Sequence, residues 1–165
     1  MTPALHAENI ETAARCIDPV FLNSPQVADA SMTRRLGTEL ILKLEIFNPL
    51  RSFKGRGADF FMRGVQPNAQ VVCASAGNFG QAIAYTARAR GIPVTVFCAE
   101  NANPLKVARI RDLGARVQLS GSDFDVAKDA ARAYVASGET RVFVEDRRIR
   151  QGRVSSGSAP PGHRR

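Results

Sequence analysis

From about position 70 onward, short apolar runs alternate with longer stretches in which hydrophobic residues recur at helical spacing. The runs are nearly continuous in apolar residues, as parallel strands are when helices cover both faces of their sheet. The longer stretches begin at Asn, Ser or Asp and end at Gly, which are residue types that start and stop helices. We therefore predict strands over 71–75, 93–99, 116–120 and 141–145, and helices over 78–91, 103–114 and 122–138.

The strict alternation of strands and helices predicts the fold class. Right-handed crossovers between parallel strands give an α/β fold, a small open parallel sheet with helices on both faces. We assign this small α/β domain to residues 69–146. The preceding residues, 1–68, hold one extended apolar stretch at 39–45 and a helix that begins near Ser52, so we expect them to lean on another part of the protein for their core.

The end of the chain has a different composition. Residues 147–165 contain one Ile and one Val among Arg, Ser, Pro and Gly, too few apolar groups to order a segment, and we predict a disordered basic tail. The net charge of +8 would suggest nucleic acid as a partner. Six arginines and no acid follow Asp146, however, so residues 1–146 carry only two of the eight excess positive charges and a nucleic-acid partner is not expected.

Several classes of protein are disfavoured by what the chain lacks. No apolar stretch is long enough for a membrane span and no signal peptide is readable, so we expect a cytoplasmic protein. Cys16, Cys73 and Cys98 have no C-x-x-C spacing, and the two histidines, His6 and His163, lie near the chain ends, so we expect no metal site. Neither G-x-G-x-x-G nor the P-loop pattern is present, which disfavours nicotinamide and P-loop nucleotide binding.

A lysine at the predicted start of a helix is the first candidate for chemistry. Lys54 lies in "SFKGRGA" (52–58), after an apolar Phe53 and with no acidic neighbour in the sequence. Burial and the positive end of the helix dipole would both lower the pKa of such an amine, and a neutral amine is what covalent catalysis with a carbonyl compound requires. From the local sequence alone, an ordinary surface lysine is the alternative.

The second candidate is the segment "SAGNFGQ" (75–81), between a predicted strand and a predicted helix. Gly77 and Gly80 allow a tight turn at the carboxyl end of a strand, where open α/β sheets bind ligands. The N-terminus of the following helix presents N–H groups that suit an anion such as a carboxylate. A plain strand-to-helix turn remains the alternative.

Taken together and in this order, "SFKGRGA" and "SAGNFGQA" resemble the fold type II family of pyridoxal-phosphate enzymes in the tryptophan synthase beta-like superfamily. Within it, the resemblance is to the threonine/serine dehydratase branch, and it covers residues from about 20 to 146. The segments "NPLKVARIRDLGARVQLSGSDFDVA" and "VFVED" are also family-like. The resemblance implies a lyase of amino-acid metabolism with pyridoxal 5′-phosphate as cofactor and an amino acid as substrate.

The resemblance also implies roles for individual residues. Lys54 would be the catalytic lysine that binds the cofactor covalently and later takes the Cα proton, which would explain why it has no acidic partner. Phe53 would pack near the pyridine ring, and Asn78 would hydrogen-bond the 3′-oxygen of that ring. The loop that holds the substrate carboxylate would consist of Ser75, Ala76, Gly77, Asn78 and Phe79.

Three departures from the family pattern affect this interpretation. Leu50 and Arg51 stand where relatives often have Thr-Gly, and Phe79 stands where many dehydratases have His, so the preferred substrate stays open. Ala76 stands where racemases carry a serine, which favours elimination over racemisation. Relatives are also about twice as long, and their later half supplies the glycine-rich phosphate loop.

The resemblance stops after "VFVED", so we expect a truncated or frameshifted reading frame, which resequencing across codon 146 would test. On this view residues 1–68 are an incomplete N-terminal part of the large cofactor domain. Their exposed apolar faces predict association, including a homo-oligomer.

Two other functions stay open at this stage. One is a β-replacement enzyme related to cysteine synthase. The other is a non-catalytic fragment, with or without a binding role for the arginine-rich tail. The leading prediction is a dehydratase that converts threonine or serine to a 2-oxo acid and ammonia, with turnover of this short form undecided.

Overall fold

The computed structural model describes residues 7–146, and the predicted tail at 147–165 lies outside this range. The described residues form a mixed α/β structure, as the pattern predicted. Two single 3₁₀ turns, Pro19–Phe21 and Glu45–Phe47, lie in the N-terminal part. The helices are α1 (Ala7–Cys16), α2 (Ala30–Leu36), α3 (Lys54–Met62), α4 (Asn78–Arg88), α5 (Pro104–Asp112) and α6 (Phe124–Ala136). The strands are β1 (Gln26–Ala28), β2 (Ile41–Lys43), β3 (Gln70–Ala74), β4 (Val94–Cys98), β5 (Arg116–Leu119) and β6 (Arg141–Phe143).

Four of the strands form one parallel sheet in the order β5-β4-β3-β6, which confirms the predicted fold class. The register pairs Val71 with Val94 and Val96 with Val117, while Val71 also faces Val142 on its other side. The chain therefore runs outward from β3 through β4 to β5, and then returns to the opposite side of β3. The strand β3 therefore has a parallel neighbour on each side, β4 and β6.

Both faces of the sheet are covered at its two inner strands, β3 and β4, which is why these strands are buried along nearly their whole length. Val71 and Cys73 of β3 point into the core cluster that includes α3, α4 and α5. Val72 and Ala74 point to the other face, where Ala131 of α6 packs against them and against Phe97 of β4. Successive side chains of one strand thus enter different halves of the core.

The N-terminal part leans on this sheet domain, as expected. Helix α3 packs against α4, and Phe21, Leu50 and Met62 belong to the same buried cluster as the strands. An ion pair joins α3 to the turn just after α4: Asp59 in α3 is 3% exposed and its Oδ1 lies 2.8 Å from a guanidinium nitrogen of Arg90. The other oxygen of Asp59 accepts the backbone N–H of residue 18 at 3.0 Å, so the buried carboxylate is fully satisfied.

Ahead of α3, the chain forms a small unit of which the sequence pattern predicted only the extended stretch at 39–45, which contains β2. Strands β1 and β2 pair in antiparallel fashion, and α2 lies between them in the chain. Every residue of both strands is exposed. Large apolar side chains on this unit and just after it face solvent, among them Leu36, Ile41 and Phe47. Association through this surface stays a prediction.

Candidate active site

The sheet topology creates a cleft between β3 and β6. β3 and β6 are neighbouring parallel strands, so their carboxyl ends lie side by side at the edge of the sheet where open α/β folds bind ligands. A cleft of about 480 Å³ lies at this point. Its lining comes from the ends of both strands, from α4 and from α6: Ala74, Ser75, Phe79, Phe124, Lys128, Arg132, Phe143, Val144, Glu145 and Asp146.

The loop after β3 presents an open helix N-terminus to this cleft. The Ser75 hydroxyl accepts the backbone N–H of Gly77 at 3.1 Å, which folds the loop back on itself. Helix α4 then begins at Asn78, and no side chain of the described residues caps it. Uncapped N–H groups at the positive end of a helix dipole are suited to bind a carboxylate or another anion.

The two glycines of this loop have different reasons for being there. A Cβ on Gly80 would lie 2.3 Å from the carbonyl oxygen of Ser75, so only glycine lets α4 pack this closely against the end of β3. A Cβ on Gly77 would meet nothing nearer than the Ser75 hydroxyl at 3.8 Å, and Gly77 has a φ of −103° that any residue adopts. The fold therefore requires glycine at position 80 and not at position 77.

The candidate lysine is the first residue of α3, two positions later than the predicted helix start. The buried Ser52 accepts the backbone N–H of Lys54 through its hydroxyl at 3.3 Å. The Asn48 side chain organises the loop ahead of it by donating to the carbonyls of Glu45 and Ser52 at 2.9 and 3.1 Å and accepting the N–H of Leu50. These contacts define where the lysine side chain leaves the backbone.

The expectation that Lys54 has no acidic partner is wrong. Its Nζ lies 2.7 and 2.6 Å from the two carboxylate oxygens of Asp146. The partner comes from 92 positions further along the chain, because β6 ends beside the start of α3. The Lys54 side chain is 16% exposed and that of Asp146 is 34% exposed, so this ion pair is partly shielded from water. Since Asp146 lines the cleft, the contact also places the lysine at the edge of that cleft.

The other predicted site residues form two groups, one in or beside the cleft and one exposed to solvent. Ser75 and Phe79 line the cleft, and Ala76 and Gly77 are half-buried in the loop between them. The Asn78 side chain is exposed at the first turn of α4, and the Phe53 ring is 57% exposed. The centroid of that ring lies 5.0 Å from the Lys54 ammonium.

Three cleft residues beyond the sequence-predicted set form an ion-pair network. Glu145 contacts Lys128 at 2.8 Å and Arg132 at 3.0 Å, both through one carboxylate oxygen. The hydrogen bond from Lys128 is the main reason why the pKa of Glu145 lies below its ordinary value, and burial opposes it. "VFVED" marks the position of Glu145 in the sequence, but the partners lie on α6 and no local pattern reveals the pairing.

One loop residue ahead of Lys54 has an unfavourable backbone conformation, which leads to a prediction. Arg51 has a φ of +50°, in the left-handed region, at a position where relatives often have glycine. Glycine adopts this conformation without the steric cost that a Cβ brings. We expect Arg51→Gly to raise the free energy of unfolding by about 1 kcal/mol, measured by urea denaturation. Arg51→Ala removes the same charge but keeps the Cβ, so it should give no gain; equal stabilisation by both would contradict the backbone explanation.

The comparisons with known proteins agree with the fold and the motifs. Residues 17–148 match the family described as "Pyridoxal-phosphate dependent enzyme". The chain is 32% identical to a human L-serine dehydratase/L-threonine deaminase over 143 residues, 84% of this chain and 44% of the relative. It is 36% identical to a "Putative threonine dehydratase" of Sinorhizobium fredii over 135 residues, 80% of this chain and 41% of the relative. A solved L-serine ammonia-lyase of the fungus Rhizomucor miehei superposes with a TM-score of 0.65 at 28% identity, covering 73% of this chain and 39% of that one.

The chain therefore belongs to the family of pyridoxal-phosphate dependent enzymes. It spans less than half the length of the curated relatives given above.

The residues present fit two requirements of the family's chemistry, an amine that reacts with the cofactor aldehyde and donors that bind an anion. Lys54 offers an amine at the edge of the cleft, and the uncapped N-terminus of α4 offers N–H donors to an anion. The rings of Phe79, Phe124 and Phe143 give the cleft an apolar wall that suits a flat ring.

Membrane spans and metal clusters are both absent from residues 7–146. No helix in this range is long and apolar enough to cross a bilayer. Within the same residues, no group of three or more His, Cys, Asp or Glu side chains could hold a metal ion.

Proposed function

We propose that this chain carries the catalytic lysine and the substrate-carboxylate loop of a pyridoxal-phosphate-dependent dehydratase, or ammonia-lyase, which converts serine or threonine to a 2-oxo acid and ammonia. The observation that carries the proposal is the position of Lys54 and the α4 N-terminus beside one cleft, at the carboxyl end of the parallel sheet. The names of the relatives, which are serine and threonine dehydratases, support the substrate class.

The proposal assigns a role in binding or proton transfer to several residues at and around the cleft. The N–H groups at the start of α4 and the Ser75 hydroxyl hold the substrate carboxylate. Asn78 would donate a hydrogen bond to the cofactor ring, and Phe53 would pack against that ring. Pyridoxal phosphate, when bound, supplies an electron sink for the charge that develops at Cα. Lys54 takes the Cα proton, and its position at the start of α3 keeps the amine at a fixed place relative to the carboxylate loop.

A cofactor-trapping experiment tests the proposal. The purified chain is mixed with pyridoxal phosphate, reduced with borohydride, and digested for peptide mass spectrometry. We expect the adduct on Lys54, and we expect Lys54→Ala to lose it. The lysines at 43, 106 and 128 are internal controls for non-specific modification. Equal labelling of all four lysines would contradict the proposal.

Turnover assays then distinguish the reaction types. Release of ammonia and a 2-oxo acid from threonine or serine supports the dehydratase. Formation of cysteine from sulfide and acetylserine, without release of ammonia from either hydroxy amino acid, would replace it with a β-replacement enzyme.

A further inference from the structure

The contact between Lys54 and Asp146 involves the same amine that the proposed function requires to react. Both oxygens of the carboxylate lie within hydrogen-bond distance of Nζ, at 2.6 and 2.7 Å. To bond to an aldehyde carbon, Lys54 must lose its three ammonium hydrogens, one to solvent and two in the water that carries away the aldehyde oxygen. A carboxylate that holds those hydrogens opposes the reaction.

From this geometry we infer that Asp146 is a positioning residue that competes with the cofactor for Lys54 and determines when the amine can react. The effect on cofactor binding rests on the proposed function of Lys54. Asp146 would compete in the same way with any aldehyde or acylating reagent that reacts with this amine. The inference assigns Asp146 a part in the loading of the site.

Asp146 lies beyond the last hydrogen bond of the sheet. The last sheet contact ahead of it is the N–H of Val144, which donates to the carbonyl of Val72 at 2.8 Å, and Val144 is buried. Glu145 is anchored by its own ion pairs with α6. Asp146 follows these anchors at the rim of the cleft and is the more exposed member of its pair with Lys54.

Two neighbouring acids with different lysine partners provide a matched control. Asp146 pairs with Lys54 at 2.6 Å, and Glu145 pairs with Lys128 at 2.8 Å, in the same cleft and with comparable shielding. Asp146→Asn therefore removes the charge that holds Lys54 and leaves the Lys128 pair intact. Glu145→Gln does the converse. Lys106 is exposed and serves as the internal reference for reagent exposure in both variants.

The experiment measures the acylation of each lysine by limiting acetic anhydride in the absence of pyridoxal phosphate. Rates come from peptide mass spectrometry, and far-UV circular dichroism checks the fold of each variant. We expect Asp146→Asn to raise the acylation rate of Lys54 relative to Lys106 by about threefold to tenfold, the range that the net contribution of one typical hydrogen bond gives. Lys128 should be unchanged in that variant, and Glu145→Gln should accelerate Lys128 alone.

The possible results separate the inference from the proposed function. An unchanged Lys54 rate in Asp146→Asn, or an equal rise at Lys54 in both variants, would overturn the inference. Should Asp146→Asn fail to fold, Asp146→Ser carries the same expectation. In a parallel arm with subsaturating pyridoxal phosphate and borohydride, Asp146→Asn should form the Lys54 adduct faster than the natural chain. The crossed acylation pattern without any Lys54 adduct would reject the proposed function alone, and equal adduct rates would reject the inference alone.

Discussion

Gly80→Ala is expected to destabilise the protein by about 3 kcal/mol or more, because the added methyl group has no space. Its Cβ would lie 2.3 Å from the backbone oxygen of Ser75 and 3.3 Å from the side chain of Ile110 on α5. The first obstacle is backbone, which cannot rotate away as a flexible side chain can. Relief requires α4 to move away from the end of β3, and α4 is buried along most of its length. Urea denaturation followed by circular dichroism measures the loss.

Gly77→Ala is the matched control for this prediction, three residues earlier in the same loop. Its Cβ has ordinary contacts, and its backbone is extended. Alanine is a poorer N-cap than glycine but also restricts the unfolded chain, so the free energy of unfolding should change by less than about 1 kcal/mol. A large loss of stability in Gly77→Ala, or none in Gly80→Ala, would contradict the packing argument. Weaker cofactor trapping at Lys54 in a stable Gly77→Ala variant would instead assign Gly77 to the ligand.

The sheet domain was predictable from the sequence because its two faces are both covered. Runs such as 71–75 and 93–99 are almost entirely apolar, and the observed strands start and end within one residue of these bounds. Helix α5 was equally readable, since Asn103 caps it and Pro104 occupies its first turn. Helix α6 ends at Ala136 and is followed by Ser137 as its C-cap, so the predicted stop at Gly138 is two residues late, as the stop at Gly114 is for α5.

The N-terminal unit was not predictable in the same way. Strand β2 lies within the predicted extended stretch 39–45, but β1 has three residues and no buried position, so neither the length nor the alternation of a strand is present there. The candidate site was predictable only in the parts that residues adjacent in the sequence form. The motifs around Lys54 and Ser75 are contiguous, whereas the pairing of Lys54 with Asp146 depends on how β6 returns to β3. Long-range pairs of this kind follow from topology.

The glycine that follows the candidate lysine leads to the second large prediction. A Cβ on Gly55 would lie 2.3 Å from the ring of Phe21, which is 1% exposed. That ring cannot retreat, because it packs edge-on against Tyr85 with the centroids 5.7 Å apart. The Arg56 side chain also fixes the backbone of Phe21, because its Nε donates a hydrogen bond to the Phe21 carbonyl at 2.8 Å. We expect Gly55→Ala to lower the free energy of unfolding by about 3 kcal/mol in urea denaturation.

A double-mutant cycle distinguishes this collision from a general effect of alanine in α3. Phe21→Leu removes the ring and by itself leaves a cavity, at a cost of about 2 kcal/mol. If the ring is what the new methyl group meets, the double variant Gly55→Ala with Phe21→Leu loses less than the two single losses together, by about 1 to 3 kcal/mol. Additive losses would show that the collision is not the cause. Coupling would mean that the glycine beside Lys54 is required by the packing of the N-terminal part on α3, so its presence in the motif needs no role in the chemistry of the lysine.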